Sequence, residues 1–210
     1  MQENNCKLGN IDKQVKTYAD HGGMDGGCSS ADGTTEKGIN LSIMMTVHDM
    51  CKVFGYEVEA TRKTDISIHD KGVTGIGNQK RSDMDNRLAL FNKYDNSICI
   101  SIHQNLFTDP QYSGAQMFFS DTHPRNEEFA GIMQQKFRTN LQPDNNRETK
   151  LCGKELYLCY FCNNPTLMIE CGFMSNPEEA AKLKTPEYQK QVGFTIFNGM
   201  NDFVQNSNQV

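Results

Sequence analysis

Two kinds of apolar pattern, one with helical spacing and one of short continuous runs, alternate along the chain. Positions three or four apart predict amphipathic helices, and the first such stripe contains Ile39, Ile43 and Val47. Short continuous apolar runs over 97–102 and 166–169 predict strands that are buried on both faces. Because helices and strands alternate, we predict an α/β fold: a single domain with a central, mostly parallel, twisted sheet flanked by helices on both faces.

The other predicted elements follow from the same patterns and from helix-capping signals. Ser82 with Asp85 three residues later resembles a capping box, and Asn176 followed by Pro177 predicts the start of another helix. Further strands are predicted over 16–19, 56–61, 115–119 and 156–161, and further helices over 129–141 and from 185 onward. Residues 1–14 are polar and aperiodic, which predicts a loose N-terminal tail before one catalytic domain over 15–205.

Composition narrows the class of protein. The chain has 210 residues, of which 37% are hydrophobic and 22% charged, as in soluble globular proteins. Its formal net charge of −5 argues against a nucleic-acid partner, because phosphates require a basic surface. No apolar run approaches the ~20 residues that span a bilayer, so we expect no transmembrane segment. The first residues have neither the cationic nor the apolar segment of a signal peptide, so we expect none in this chain.

Four polar residues are candidates for chemistry. His21 follows the first predicted strand, Glu36 lies fifteen positions later, and His103 and Glu170 come at the ends of the two apolar runs. Functional residues in α/β sheets gather at the carboxyl ends of strands. A carboxylate beside an apolar strand needs a cation or hydrogen bonds, because burying it unpaired is costly. Two histidines and a glutamate are also a ligand set of catalytic zinc sites, so the pattern predicts a zinc hydrolase.

Several short motifs occur in a fixed order between residues 20 and 203. They are His-Gly-Gly-Met-Asp-Gly-Gly at 21–27, Glu-Lys at 36–37, Thr-Arg-Lys-Thr-Asp at 61–65, Arg-Leu-Ala-Leu-Phe-Asn at 87–92, Ser-Ile-His-Gln-Asn at 101–105, Ser-Gly-Ala at 113–115 and Ile-Glu-Cys-Gly-Phe-Met-Ser-Asn at 169–176. Together they resemble the zinc-dependent N-acetylmuramoyl-L-alanine amidases of the cell-wall hydrolase type, nearest to the sporulation-associated cortex amidases. One departure is that Asp20 directly precedes His21, where the family usually has Asp-x-Gly-His.

The resemblance implies roles for individual residues. His21, Glu36 and His103 would bind zinc, and Glu170 would be the catalytic carboxylate. Asn105, two residues after His103, is a candidate substrate-binding residue. The implied reaction is hydrolysis of the amide bond between N-acetylmuramic acid and L-alanine in peptidoglycan. A protein activator is a further candidate partner, and the expected location is extracytoplasmic, in the cell wall, the periplasm or the forespore intermembrane space.

Two alternative functions remain open from the residues alone. The same metal chemistry would serve a zinc carboxypeptidase-like peptidase, which needs a pocket for a terminal carboxylate. Four arginines are available to line such a pocket: Arg62, Arg81, Arg87 and Arg147. The other alternative is a non-catalytic module that binds the cell wall or regulates its turnover. The presence of all four candidate residues argues against that module, because an inactive relative often lacks at least one.

Overall fold

A computed structural model describes residues 14–207 as one α/β domain built on a six-stranded sheet. The strand order is β2-β1-β3-β6-β4-β5. The strands are β1 (Gln14–Ala19), β2 (Glu57–Ala60), β3 (Ile98–Asn105), β4 (Gln116–Phe119), β5 (Lys150–Leu151) and β6 (Thr166–Phe173). Strands β2, β1, β3 and β6 are parallel neighbours, whereas β4 runs antiparallel to β6. The prediction of a mostly parallel sheet is therefore confirmed.

Six helices flank this sheet. They are α1 (Glu36–Val53), α2 (Ile76–Phe91), α3 (Asn126–Asn140), α4 (Tyr157–Phe161), α5 (Pro177–Leu183) and α6 (Pro186–Ser207). The main core lies on one face, where α1, α3 and α6 bury the side chains of Ile100, Ile102 and Ile169. On the other face, α2 and α4 pack over a smaller cluster that includes Phe91 and Cys99. Successive strand residues point to opposite faces, so Ile98, Ile100 and Ile102 of β3 face the main core, whereas Cys99, Ser101 and His103 lie on the other face.

Two predicted elements differ from the structure. The apolar run over 156–161 forms helix α4 rather than a strand, because so short a run has no period that separates the two. Helix α2 begins at Ile76, six residues before the predicted capping box, after Gly75 at φ 83°. Its first turns are largely exposed and polar, so no apolar stripe marks them. The predicted tail over 1–14 lies outside the described residues except for Gln14, which begins β1.

The parallel strands place the candidate residues at one edge of the sheet. His21 follows the end of β1, while His103 lies in β3 directly beside Glu170 of β6 in the strand register. Both strands are longer than predicted, so these two residues belong to the paired strands themselves. Within residues 14–207, no helix is long and apolar enough to cross a membrane.

Candidate active site

The loop after β1 presents His21 toward the start of α1. Gly22 and Asp25 exchange two backbone hydrogen bonds of 2.9 and 3.1 Å, which folds the loop back on itself. This turn brings the Asp25 carboxylate within 2.9 Å of His21 Nδ1. The other ring nitrogen, Nε2, lies 3.2 Å from Glu36 Oε1. His21 therefore has one nitrogen oriented by Asp25 and the other directed at the candidate site.

Glu36 is the first residue of α1, and its side chain is only 4% exposed. Its carboxylate accepts hydrogen bonds from the backbone N–H groups of Cys28 (2.7 Å) and Gln104 (2.8 Å) and from Asn40 Nδ2 (3.1 Å). Burial alone would raise the pKa of Glu36, but the hydrogen bond with His21 and the nearby imidazoles lower it to about 2. Glu36 is thus a fixed, ionised carboxylate.

His103 reaches the same point from β3. Its Nδ1 lies 3.9 Å from Glu36 Oε2, and its ring centroid lies 5.4 Å from that of His21. Its Nε2 is bound to the carboxylate of Asp20. Asp20 is buried, accepts a 2.7 Å hydrogen bond from Ser101 Oγ and lies 3.5 Å from Arg87 Nη1. A buried carboxylate therefore fixes the orientation of the His103 ring.

The electrostatics of the cluster favour positive charge. Burial alone would lower the pKa of His21, but hydrogen bonds to Asp25 and Glu36 raise it to about 10. The pKa of His103 is also raised, since Asp20 outweighs the effect of burial. For Asp20, burial is outweighed by His103 and Arg87, so its pKa lies well below its usual range. Imidazoles that hold protons so firmly mark a place of strongly negative potential.

The donor set fits a zinc ion. One ligand atom from each of His21, Glu36 and His103 lies within 4.8 Å of the others. Tetrahedral zinc with bonds of ~2.0–2.1 Å would hold its ligands ~3.3 Å apart. His21 Nε2 lies 3.2 Å from Glu36 Oε1, and His103 Nδ1 lies 3.9 Å from the other carboxylate oxygen, Oε2. Histidines that bind metals usually hold a carboxylate or carbonyl with their other nitrogen, as both do here.

Glu170 is the neighbour of His103 across the β3–β6 pair. Its Oε2 atom is buried and receives no hydrogen bond from any residue over 14–207. Burial raises the pKa of Glu170 to about 7, against the opposing effect of the His103 imidazole and with a contribution from Glu36. A buried carboxylate oxygen without a donor is costly unless a ligand engages it. Its raised pKa suits a group that takes and returns a proton near neutral pH.

Asn105 lies at the end of β3, where its backbone oxygen accepts a 2.7 Å hydrogen bond from Met174 N. This contact fixes the strand end near the site, and a role in substrate binding stays a prediction. Asp20 and Asp25 were not among the predicted site residues. Each had a possible signal: Asp25 lies four residues after the candidate ligand His21, and Asp20 directly follows β1, the strand beside β3.

Comparison with known proteins identifies the family. The family model described as N-acetylmuramoyl-L-alanine amidase matches residues 18–202. The germination-specific N-acetylmuramoyl-L-alanine amidase of Bacillus subtilis is 33% identical over 180 residues, which cover 86% of this chain and 75% of that protein. The chain belongs to the N-acetylmuramoyl-L-alanine amidase family, and the resemblance of its motifs is confirmed.

Two solved structures share the fold. The CwlD amidase of Clostridioides difficile, solved in complex with the GerS lipoprotein, has a TM-score of 0.89 at 29% identity, covering 93% of this chain and 100% of that one. The amidase AmiC2 of Nostoc punctiforme has a TM-score of 0.78 at 23% identity, covering 92% of this chain and 98% of that one. At 23% identity, the second likeness shows the fold alone.

Proposed function

We propose that this protein is a zinc-dependent amidase that hydrolyses the bond between N-acetylmuramic acid and L-alanine in peptidoglycan. The observation that carries the proposal is the meeting of His21, Glu36 and His103 at one point, with Glu170 beside His103. Family membership supplies the bond that is cut. The site supplies the groups that its hydrolysis needs: three metal ligands and one proton-transfer carboxylate.

His21 Nε2, His103 Nδ1 and a Glu36 oxygen would hold the metal. Zinc in such a site activates water at neutral pH and polarises the carbonyl under attack. Asp25 and Asp20 fix the ring orientations, because each binds the nitrogen that faces away from the other ligands. The hydrogen bonds from Cys28 and Gln104 fix the Glu36 carboxylate in the same way. The ligands are therefore held in place by the fold before any metal arrives.

Glu170 would move the proton. Its buried oxygen accepts a proton from the attacking water, and the same carboxyl group then donates it to the nitrogen of the leaving L-alanine. A pKa near 7 suits both halves of this transfer, since the group is neither firmly protonated nor firmly ionised. The main cause of that raised pKa is the burial of the Glu170 carboxyl group on β6, so this burial is part of the proposed catalysis.

We further propose that the protein acts outside the cytoplasmic membrane, where peptidoglycan lies, and that a protein partner assists it. The B. subtilis relative is described as germination-specific, and the CwlD structure contains a lipoprotein partner. These two proteins are the support for a spore-related setting and for an activator. Co-purification with a tagged version of this chain from sporulating cells would test the partner.

The test of catalysis compares Glu170→Gln with Glu178→Gln, a control at an exposed first-turn position of α5. Glutamine keeps the shape but cannot transfer a proton, which is worth about 10²–10⁴-fold in rate. We expect Glu170→Gln to keep its zinc content and melting temperature while losing that activity. Digested peptidoglycan, analysed by mass, should show stem peptides with free L-alanine amino termini and intact glycan.

Other products would separate the alternatives. Cleavage within the stem peptide would favour the carboxypeptidase-like peptidase, and binding without any cleavage would favour the non-catalytic module. A Glu170→Gln protein that melts much lower but hydrolyses normally would show that Glu170 is only structural.

A further inference from the structure

A third polar residue continues the line of His103 and Glu170 across the sheet. Strand β4 runs antiparallel to β6 with Gln116 opposite Glu170. Residues directly opposite in such a pair point to the same face, with their Cβ atoms ~4.5–5.5 Å apart. Gln116 therefore extends the floor of the proposed active site toward the β4 side.

Gln116 in turn holds an arginine. Arg147 Nη1 donates to Gln116 Oε1 at 3.1 Å, and Arg147 Nε donates to the carbonyl oxygen of Ser113 at 2.8 Å. The guanidinium group lies 4.4 Å from the ring centroid of Phe173 and 5.5 Å from that of Tyr112. These contacts fix the plane of the guanidinium without neutralising its charge.

Two of the other arginines considered for a carboxylate pocket differ from Arg147. Arg87 is fully buried and paired with Asp83, and Arg62 is buried and donates to four backbone carbonyls. Arg147 is half-buried, and across the described chain it forms no ion pair with a carboxylate. A guanidinium has five N–H donors, so Arg147 keeps donors for a ligand.

A structural role for Arg147 is the competing explanation. Burial raises the pKa of Glu179, and the hydrogen bonds that its carboxylate accepts from the backbone N–H groups of Phe173 and Gly114 oppose this rise, as does the charge of Arg147. Over residues 14–207, Arg147 forms no ion pair with the carboxylate of Glu179. A purely structural Arg147 would affect stability and would act equally on every substrate.

The proposed substrate carries its negative charge on one side only. N-acetylmuramic acid is uncharged once amidated, whereas the stem peptide has a glutamate after L-alanine, linked through its γ-carboxyl group. That residue presents a free α-carboxylate unless the cell amidates it. One residue spans at most ~3.3–3.6 Å, so this carboxylate lies within two residues of the bond that is cut. Gln116 lies one strand spacing, ~5 Å, from Glu170, and Arg147 Nη1 lies 3.1 Å from the Oε1 atom at the end of the Gln116 side chain.

We propose that Arg147, positioned by Gln116, binds the α-carboxylate of the glutamate that follows L-alanine in the stem peptide. The inference rests on the proposed function and adds the direction in which the substrate lies: peptide toward β4. A planar guanidinium recognises a carboxylate through two parallel hydrogen bonds, which an amide cannot reproduce. The enzyme should therefore discriminate between acidic and amidated stem peptides.

The experiment uses two synthetic muropeptides that differ only at this group, N-acetylmuramoyl-L-alanyl-D-isoglutamate and its isoglutamine counterpart. Release of the free L-alanine amine is followed by mass spectrometry with the zinc-loaded full chain. We expect wild-type protein to favour the acid by about tenfold or more in kcat/KM, mainly through KM. Arg147→Gln should lose most of that preference, because kcat/KM should fall for the acidic muropeptide alone. Arg147→Lys, which keeps the charge but not the fork, should be intermediate.

Arg81→Gln is the matched control, because Arg81 is an exposed arginine on α2. It should retain the wild-type preference for the acid. Equal rates on both substrates for wild type would overturn the inference without needing any variant to fold. So would an Arg147→Gln protein that slows both substrates alike, as a structural role predicts. If wild type releases no amine from either muropeptide, the proposed function itself fails and the inference falls with it.

Discussion

Gly27 offers a sharp test of the ligand assignment because it touches two of the proposed ligands. Its φ is +66°, and a Cβ placed there would lie 2.2 Å from Glu36 Oε1 and 2.6 Å from His21 Cδ2. Gly33 in the same loop also has a positive φ, +84°, but a Cβ there would meet nothing within 4 Å. Gly27→Ala and Gly33→Ala therefore share a backbone cost and differ in contact with the site.

The shared cost is that of an L-residue in a left-handed conformation, about 1–2 kcal/mol. In a chain of this size that lowers the melting temperature by roughly 2–8 °C. Gly27→Ala must also displace Glu36, whose carboxylate accepts three hydrogen bonds. Hydrogen bonds to a charged group are worth ~1.5–3 kcal/mol each. If the displaced Glu36 loses the free energy of one such bond, or if its new position weakens metal binding by the same amount, zinc affinity falls by at least about tenfold.

Competition with a chelator of known affinity measures zinc binding, and thermal unfolding measures stability. Gly33→Ala should melt a few degrees lower with unchanged zinc affinity, whereas Gly27→Ala should also bind zinc at least about tenfold more weakly. If Gly27→Ala bound zinc as tightly as Gly33→Ala, the reasoning that places Glu36 and His21 at the metal would be refuted.

Two further predictions concern the same metal site. Asp20→Asn should weaken zinc binding by about 10- to 100-fold in chelator competition, since it loosens the His103 ring. Asp49→Asn, which removes an exposed carboxylate beside His48, should not change it. Zinc at about 100 times its Kd should stabilise the fold by ~2.7 kcal/mol in thermal unfolding. His103→Ala should lose both the bound metal and this stabilisation, and full zinc occupancy in that variant would exclude His103 as a ligand.

The apolar pattern predicted the sheet well where burial alone decides the structure. Strands β3 and β6 were predicted from runs that end at Ile102 and Ile169, but β3 continues through three polar residues to Asn105, and β6 continues past the polar Glu170 to Phe173. Backbone pairing with a neighbouring strand keeps a strand extended where its side chains are polar, and hydropathy carries no record of that pairing. The extension matters, because it aligns His103 with Glu170 in one register.

Adjacency along the chain suggests the wrong hydrogen-bond partner for Asp20. Asp20 is next to His21 in the sequence, yet its carboxylate binds His103. The reason is that β1 and β3 are parallel neighbours in which Ala19 pairs with Ile102, so Asp20 comes beside His103, with Asp20 N lying 3.4 Å from Ile102 O. His21, at φ 60°, instead turns toward Asp25 and Glu36. Such a choice depends on strand order, which the motifs alone do not reveal.

The charges around the site explain why a divalent cation suits it. Four carboxylates surround the site: Asp20, Asp25, Glu36 and Glu170. Asp20 lies near Arg87, and Asp25 pairs with Lys80 at 2.9 Å, so these two have cationic neighbours. Glu36 and Glu170 face the two imidazoles, which act to lower the pKa of both carboxyl groups. Protons on those imidazoles would offset the charge but would block the nitrogens. A dication offsets both carboxylates while leaving the imidazoles neutral, which is the form in which they bind zinc.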